Sequence, residues 1–297
     1  MRNYRRIFAA ITSILLISFY LTGQVKSPVL IGKDKLALFA RQTEMKATSP
    51  YMDMKWQYIG PTNISGRCTD VEAVSPRGAN YIIWVGSATG GVWKSENEGT
   101  TFEPVFDGMP TASTGDIAID PNNKDIVWVG TGEANIFRSS NAGGGVFKTL
   151  DGGKTWNLMG LENTYTIGRI RVNPNNSDIV YIAATGHEWT PNEERGLFKT
   201  TDGGKTWTKA LYIDKNTGVN DVVLDPKDPD IVYCTTWERV RLKWNDPRTY
   251  ETNMNNGIWK STDGGKNWKK IDQGLPSANK RGRIGIDIAR SNPEVLY

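Results

Sequence analysis

The sequence predicts an all-β chain of repeated four-stranded antiparallel units, the architecture of a β-propeller, and three observations predict it. A short stretch, cleanest as Thr200-Thr201-Asp202-Gly203-Gly204-Lys205-Thr206-Trp207, recurs at Thr149 to Trp156 and Ser261 to Trp268, and in degenerate form at Ser95 to Phe102, where Asn97 replaces the Asp. Around these copies an alternating apolar pattern returns every ~50 to 60 residues, the interval of propeller blades. Each interval also carries the same two strand-like runs, the first closing on Pro, as in Gly115 to Pro121 and Gly168 to Pro174.

From the N-terminus, residues 1–23 read as a secretory signal: Arg2, Arg5 and Arg6 form a basic start, and the apolar run from Ile7 to Leu21 is short for a membrane span. The chain is therefore expected to be secreted, periplasmic or on the cell surface. Its membrane contact is limited to an uncleaved anchor, the alternative raised by the large Leu21 near the cleavage point. Removing the segment takes three arginines and no acids from a formal +4, leaving about +1. A near-neutral chain gives no electrostatic case for nucleic acid. Cys68 and Cys234 are too few for a disulfide framework, and both sit in apolar runs, so buried free thiols are expected.

Residues 24–54 form a leader with a short helix around Lys35 to Met45. The repeat domain occupies residues 55–297, with four nearly complete blades and the start of a fifth. Trp56 to Gly60 looks like an outermost strand without its blade. Within each unit the Pro-closed strand is followed by a second run (Asp125 to Val129, Asp178 to Ile182, Asp230 to Cys234), then a variable loop, a third strand, the recurrent stretch and a fourth strand. Gly282 to Tyr297 supplies two strands of a fifth blade without a third, so an incomplete propeller is expected.

The recurrent stretch is the turn between the third and fourth strands. Gly203 and Gly204 supply positive φ, the Thr200 hydroxyl and Asp202 carboxylate cap loop N–H groups, and Trp207 folds back as an apolar plug. The EF-hand alternation is absent, so the Asp is read as structural. This motif resembles the Asp-box, or BNR repeat, of sialidases, xyloglucan-cleaving glycoside hydrolases and the sortilin ectodomain. The resemblance covers most of the chain from Trp56 onward and implies a propeller with its boxes on the blade periphery, away from the active face. Gly86 to Trp93 is similar to the segment in which the xyloglucan-cleaving enzymes carry a catalytic Asp, but the aligned position here is Ala88, which cannot transfer a proton. Arg67, Arg169 and Arg283 are candidates by position for the sialidase arginine triad. The Tyr nucleophile of that family has no assignable counterpart.

Chemistry is expected on the face formed by the loops between second and third strands. Two sets of residues converge there. The residue after Gly or Asn at each first-strand start gives Arg67, Asp116, Arg169, Asp221 and Arg283, a ring of alternating charge that reads as paired ions or as an anion site. In a five-bladed closure Arg67 and Arg283 adjoin and call for an anion between them, whereas with further blades the ring is structural, the preferred reading. The second set lies in the loops: Glu133, the His187-Glu188-Trp189 run, and Trp237-Glu238-Arg239 with Trp244 and Tyr250. Carboxylates beside aromatics suit a sugar site, with Glu133 and Glu238 as the acid/base candidates. His187 is the single His, so no metal site is expected. No phosphate loop, nucleophile elbow or Cys/His pair appears, and no cofactor is expected. Two functions remain open: a module binding a glycan or peptide, sortilin-like in architecture, or a glycoside hydrolase.

Overall fold

The computed structural model describes residues 32–54, 66–74, 81–135, 140–240 and 255–297. Residues 1–23, read above as a secretory signal, the run Trp56 to Gly60, and Trp244 and Tyr250 lie outside these residues. A helix, α1 (Gly32–Ala47), extends the one read from sequence by about a turn. Its first N–H donates to Asn163 Oδ1 at 2.9 Å and Lys35 Nζ donates to the Ala142 carbonyl at 2.9 Å.

Among the described residues, sixteen strands follow in four antiparallel sheets of four. Blade 1 holds β1 (Cys68–Val74), β2 (Ile82–Ser87), β3 (Gly91–Ser95) and β4 (Glu103–Pro104). Blade 2 holds β5 (Thr114–Asp120), β6 (Asn123–Thr131), β7 (Val146–Thr149) and β8 (Asn157–Leu158). Blade 3 holds β9 (Ile167–Asn173), β10 (Asn176–Ala184), β11 (Gly196–Thr200) and β12 (Thr208–Leu211). Blade 4 holds β13 (Thr217–Leu224), β14 (Val232–Glu238), β15 (Gly257–Ser261) and β16 (Lys269–Lys270). The first strands of successive blades stand side by side, β1 on β5, β5 on β9 and β9 on β13.

The core lies between blades. Trp84, Ile117, Val129 and Phe147 fill the seam of blades 1 and 2, Trp128, Ile170, Ile182 and Phe198 that of blades 2 and 3, and Tyr181, Val222 and Cys234 that of blades 3 and 4. The three turns that end in Trp each close such a seam. Thr200 Oγ1 accepts from Gly204 N at 3.0 Å, and the Asp202 carboxylate accepts from Thr206 N at 2.9 Å and Thr206 Oγ1 at 2.6 Å. Trp207 then reaches back to blade 2, donating to the Met159 carbonyl at 2.6 Å and meeting Trp128 edge-on at 6.3 Å. Trp156 and Trp268 repeat the bond on the Val105 and Ala210 carbonyls. In the degenerate copy Asn97 Oδ1 still accepts from Thr101 N at 2.9 Å, while Phe102 has no N–H to donate and is 39% exposed.

Gly282 to Tyr297 packs Ile286 and Ile288 on Val223 and Tyr233 of blade 4. Asp287 and Tyr297 exchange backbone bonds in hairpin fashion, with an isolated Ile288–Leu296 bridge. Cys234 is buried and free, as expected, but Cys68 is exposed, because it opens the first strand of blade 1 with no neighbour outside it among the described residues.

Candidate functional site

The inner strands carry a recurring irregularity that sets the site's register. Pairing of first and second strands skips one residue in every blade, at Thr69, Gly115, Gly168 and Asn220. Gly115 and Gly168 are required at two of these bulges, since a Cβ would stand 2.0 Å from the Ile167 carbonyl oxygen and 2.5 Å from that of Asn220. Immediately after the bulge come Asp70, Asp116, Arg169 and Asp221. The acidic members reach into the next unit: Asp70 accepts from Ile117 N at 3.0 Å, Asp116 from Ile170 N at 2.7 Å, and Asp221 from Ile286 N at 3.2 Å.

This corrects the ring read from sequence. Asp116, Arg169 and Asp221 hold equivalent positions and pair directly, Arg169 donating to Asp116 and to Asp221 at 3.0 Å each. Arg67 does not belong to the ring. It precedes the bulge, and Asp70, which the Gly-plus-one rule passed over, occupies the ring position of blade 1. Arg283 is likewise displaced, because the Asp221–Ile286 bond puts Gly285 in register with the other ring residues. Burial pushes the Asp116 carboxyl well above its ordinary range, against the pull of Arg169. Burial raises Asp70 as well.

Arg67 and Arg283 both turn to the loop after β6. Arg67 grips Glu133 in a fork, Nε to Oε1 and Nη2 to Oε2 at 2.7 Å each, with Glu133 0% exposed. Arg283 donates to Asn135 Oδ1 two residues on. Glu133, a candidate acid/base, thus has both oxygens engaged by one cation. Glu238 is partly exposed; burial, then Asp214, raises its carboxyl, and its N–H donates to Asn256 Oδ1 at 2.6 Å. Ala88 is buried, its N–H on the Arg67 carbonyl at 3.0 Å.

The loop after β10 places His187 against Tyr165, with ring centroids 3.6 Å apart, and Nδ1 is 2.9 Å from Thr190 Oγ1. Burial, then Arg195, lowers the imidazole from 6.5 to about 4. Glu188 is buried and Trp189 is 46% exposed. Trp237 is buried, its ring centroid 5.9 Å from the Arg239 guanidinium carbon.

Two arginines organise this region: Arg239, named in the second loop set, and Arg195, which the sequence reading passed over. Arg195 is buried and donates to the carbonyls of Thr185, Asn216 and Arg239 from Nη1 and of His187 and Thr190 from Nη2, at 2.6 to 3.1 Å. Arg239 is equally buried, its Nη1 on the Thr166 and Thr185 hydroxyls at 2.8 and 2.6 Å. Its place directly after Trp237-Glu238 was the available signal; Arg195 gave none beyond preceding the third strand. Among the described residues no group of three or more His, Cys, Asp or Glu side chains could hold a metal.

Residues 144–282 match the Sortilin-Vps10 family model, described as sortilin, neurotensin receptor 3. That match takes in the recurrent turns at Thr149, Thr200 and Ser261 and the blades around them. The chain is a propeller of the Asp-box kind. A xyloglucanase of Acetivibrio thermocellus is 29% identical over 117 residues, covering 36% of this chain and 12% of the relative. The Asp-box fold is shared with an ancestral GH74 enzyme (TM-score 0.53, 22% identity, 73% of this chain and 25% of that one). It is shared too with the GH74 xyloglucanase of Xanthomonas campestris (0.51, 15%, 72% and 33%). This Asp-box chain therefore spans a third or less of the length of these three relatives.

Proposed function

We propose that this Asp-box propeller is an exported module that binds a glycan on the face formed by the loops after β6, β10 and β14. The observation that carries the reading is the Arg67–Glu133 fork. A fully buried carboxylate whose two oxygens both lie on one guanidinium faces a cation instead of a substrate, so it orients loops instead of moving protons. Ala88, at the position aligned with a catalytic Asp of the xyloglucan-cleaving enzymes, supports the same conclusion. Binding itself draws on aromatic and charged loop side chains, among them Trp189 and Trp237. Export rests on the basic and apolar start of the sequence; among the described residues no helix is long and apolar enough to cross a membrane.

The second reading, a glycoside hydrolase, is favoured by Glu238, whose raised carboxyl and partial exposure suit a general acid. The deciding experiment incubates the chain with soluble plant and microbial polysaccharides and, separately, with an immobilised peptide library, measuring retention alongside release of reducing ends. Retention without release is expected. Release abolished by Glu238→Gln establishes the hydrolase, and retention of peptides alone refutes the glycan reading.

A further inference from the structure

The seam between blades 3 and 4 holds a cation with half of its hydrogen-bonding edge unused. Arg239 is 0% exposed. Its Nη1 is satisfied by two neutral hydroxyls of blade 3, while among the described residues Nε and Nη2 have no acceptor and no carboxylate pairs with it. Nε and Nη2 form the side-on edge of a guanidinium, the one that Arg67 lays along both oxygens of Glu133 at 2.7 Å. The chain thus displays the filled and the empty version of one fork. An enclosed guanidinium edge without an acceptor is costly, which favours an anionic occupant of matching planar shape.

The surroundings narrow the occupant. Arg195 and Arg283 are close enough to oppose protonation of Arg239, and Glu188 and Glu133 to favour it. Arg195 has spent both terminal nitrogens on carbonyls and keeps only Nε without an acceptor, so the two-nitrogen unfilled edge belongs to Arg239. The Trp237 ring lies beside the guanidinium, its Nε1 also without an acceptor. Arg195 ties the His187 and Thr190 carbonyls to that of Arg239, which brings the loop bearing half-exposed Trp189 against the same seam. A flat carboxylate on a ring with apolar C–H faces suits an edge with an indole beside it.

Resting on the glycan reading above, we propose that the Nε/Nη2 edge of Arg239 receives the carboxylate of a hexuronate residue, making this face selective for acidic glycans. Trp237 Nε1 would supply a third donor, to a ring or hydroxyl oxygen. Because the edge is enclosed, entry requires the loop held by Arg195 to swing aside, so association falls below the diffusion-controlled range.

The test titrates the full chain, by calorimetry and tryptophan fluorescence, with methyl β-D-glucuronide, its amide, methyl β-D-glucoside, and an acetylated tetra-alanine bearing a free C-terminal carboxylate. The glucuronide is expected to bind about tenfold or more tighter than its amide or the glucoside. Arg239→Gln should erase that preference, and Arg239→Lys, a point charge without a fork, should keep only part of it. Should the Gln variant not fold, the acid–amide comparison on the parent chain decides. Equal affinity for acid and amide, or a preference that survives in Arg239→Gln, overturns the proposal but leaves the glycan reading standing as long as a sugar binds. Binding of the peptide alone, or of none of the four probes, overturns both.

Discussion

Replacing Trp207 with Ala tests whether the recurrent turns hold the blades together. The indole spans a seam: it is half-buried, meets Trp128 edge-on at 6.3 Å, and donates Nε1 to the Met159 carbonyl of the preceding blade at 2.6 Å. Roughly 100 to 150 Å² of apolar indole surface withdrawn from water contributes about 3 kcal/mol at ~25 cal/mol per Å². The hydrogen bond adds about 1 kcal/mol, so Trp207→Ala should cost about 4 kcal/mol, within the range for large aromatic truncations. Trp207→Phe keeps most of the area and loses the donor, and should cost about 1 to 2 kcal/mol. Phe102, which occupies the same place in the degenerate turn without a donor and with 39% exposure, should cost about 1 kcal/mol on truncation. The assay is urea unfolding followed by tryptophan fluorescence, comparing midpoints at unchanged slope. If Trp207→Ala unfolds within about 1 kcal/mol of the parent, or no lower than Phe102→Ala, the turn is decoration and the seam argument fails.

Three further outcomes are expected. Glu133→Gln should lower stability by about 1 to 3 kcal/mol, since it strips Arg67 of its ionised partner, and a calorimetric melt matching the parent would show the fork to be idle. Asp202→Asn should be nearly neutral, because Asn97 accepts from Thr101 N and donates Nδ2 to Thr101 Oγ1 in the same geometry, whereas Asp202→Ala should lower the melting temperature. His187 is neutral when folded and titrates at about 4 instead of 6.5, so the unfolded chain binds the extra proton between those values. The stability present above pH 6.5 is then lost as pH falls toward 4. Discounted for partial exposure this is about 1 to 2 kcal/mol, and His187→Gln should flatten the stability–pH curve in that window. The three Asp-box carboxylates, held below their ordinary range by threonine and asparagine donors, weaken the fold only at more acid pH, which separates the two effects.

By itself the sequence determined the blade. The hydrogen bonds of the recurrent turn run between residues two to four apart, as in Thr200, Asp202, Gly204 and Thr206, so their donors and acceptors are written next to one another. Alternation and closing prolines fixed the strands around them for the same local reason. Only the tertiary structure decided what stands at the seams. Arg67 meets Glu133 from 66 positions away and Arg239 meets Thr166 from 73, distances over which no periodicity constrains a partner. The bulge before Asp70, Asp116, Arg169 and Asp221 shifts the inner register by one residue, because blades approach there to backbone contact at Gly115 and Gly168. In blade 1 that bulge falls on Thr69 and not on a Gly or Asn, so Arg67 stands outside the ring and Asp70 inside it, and the Asp221–Ile286 bond gives the next position to Gly285 and not Arg283. The enclosed edge of Arg239 exists because blade 3 covers blade 4, a matter of packing that a string of residue types does not encode.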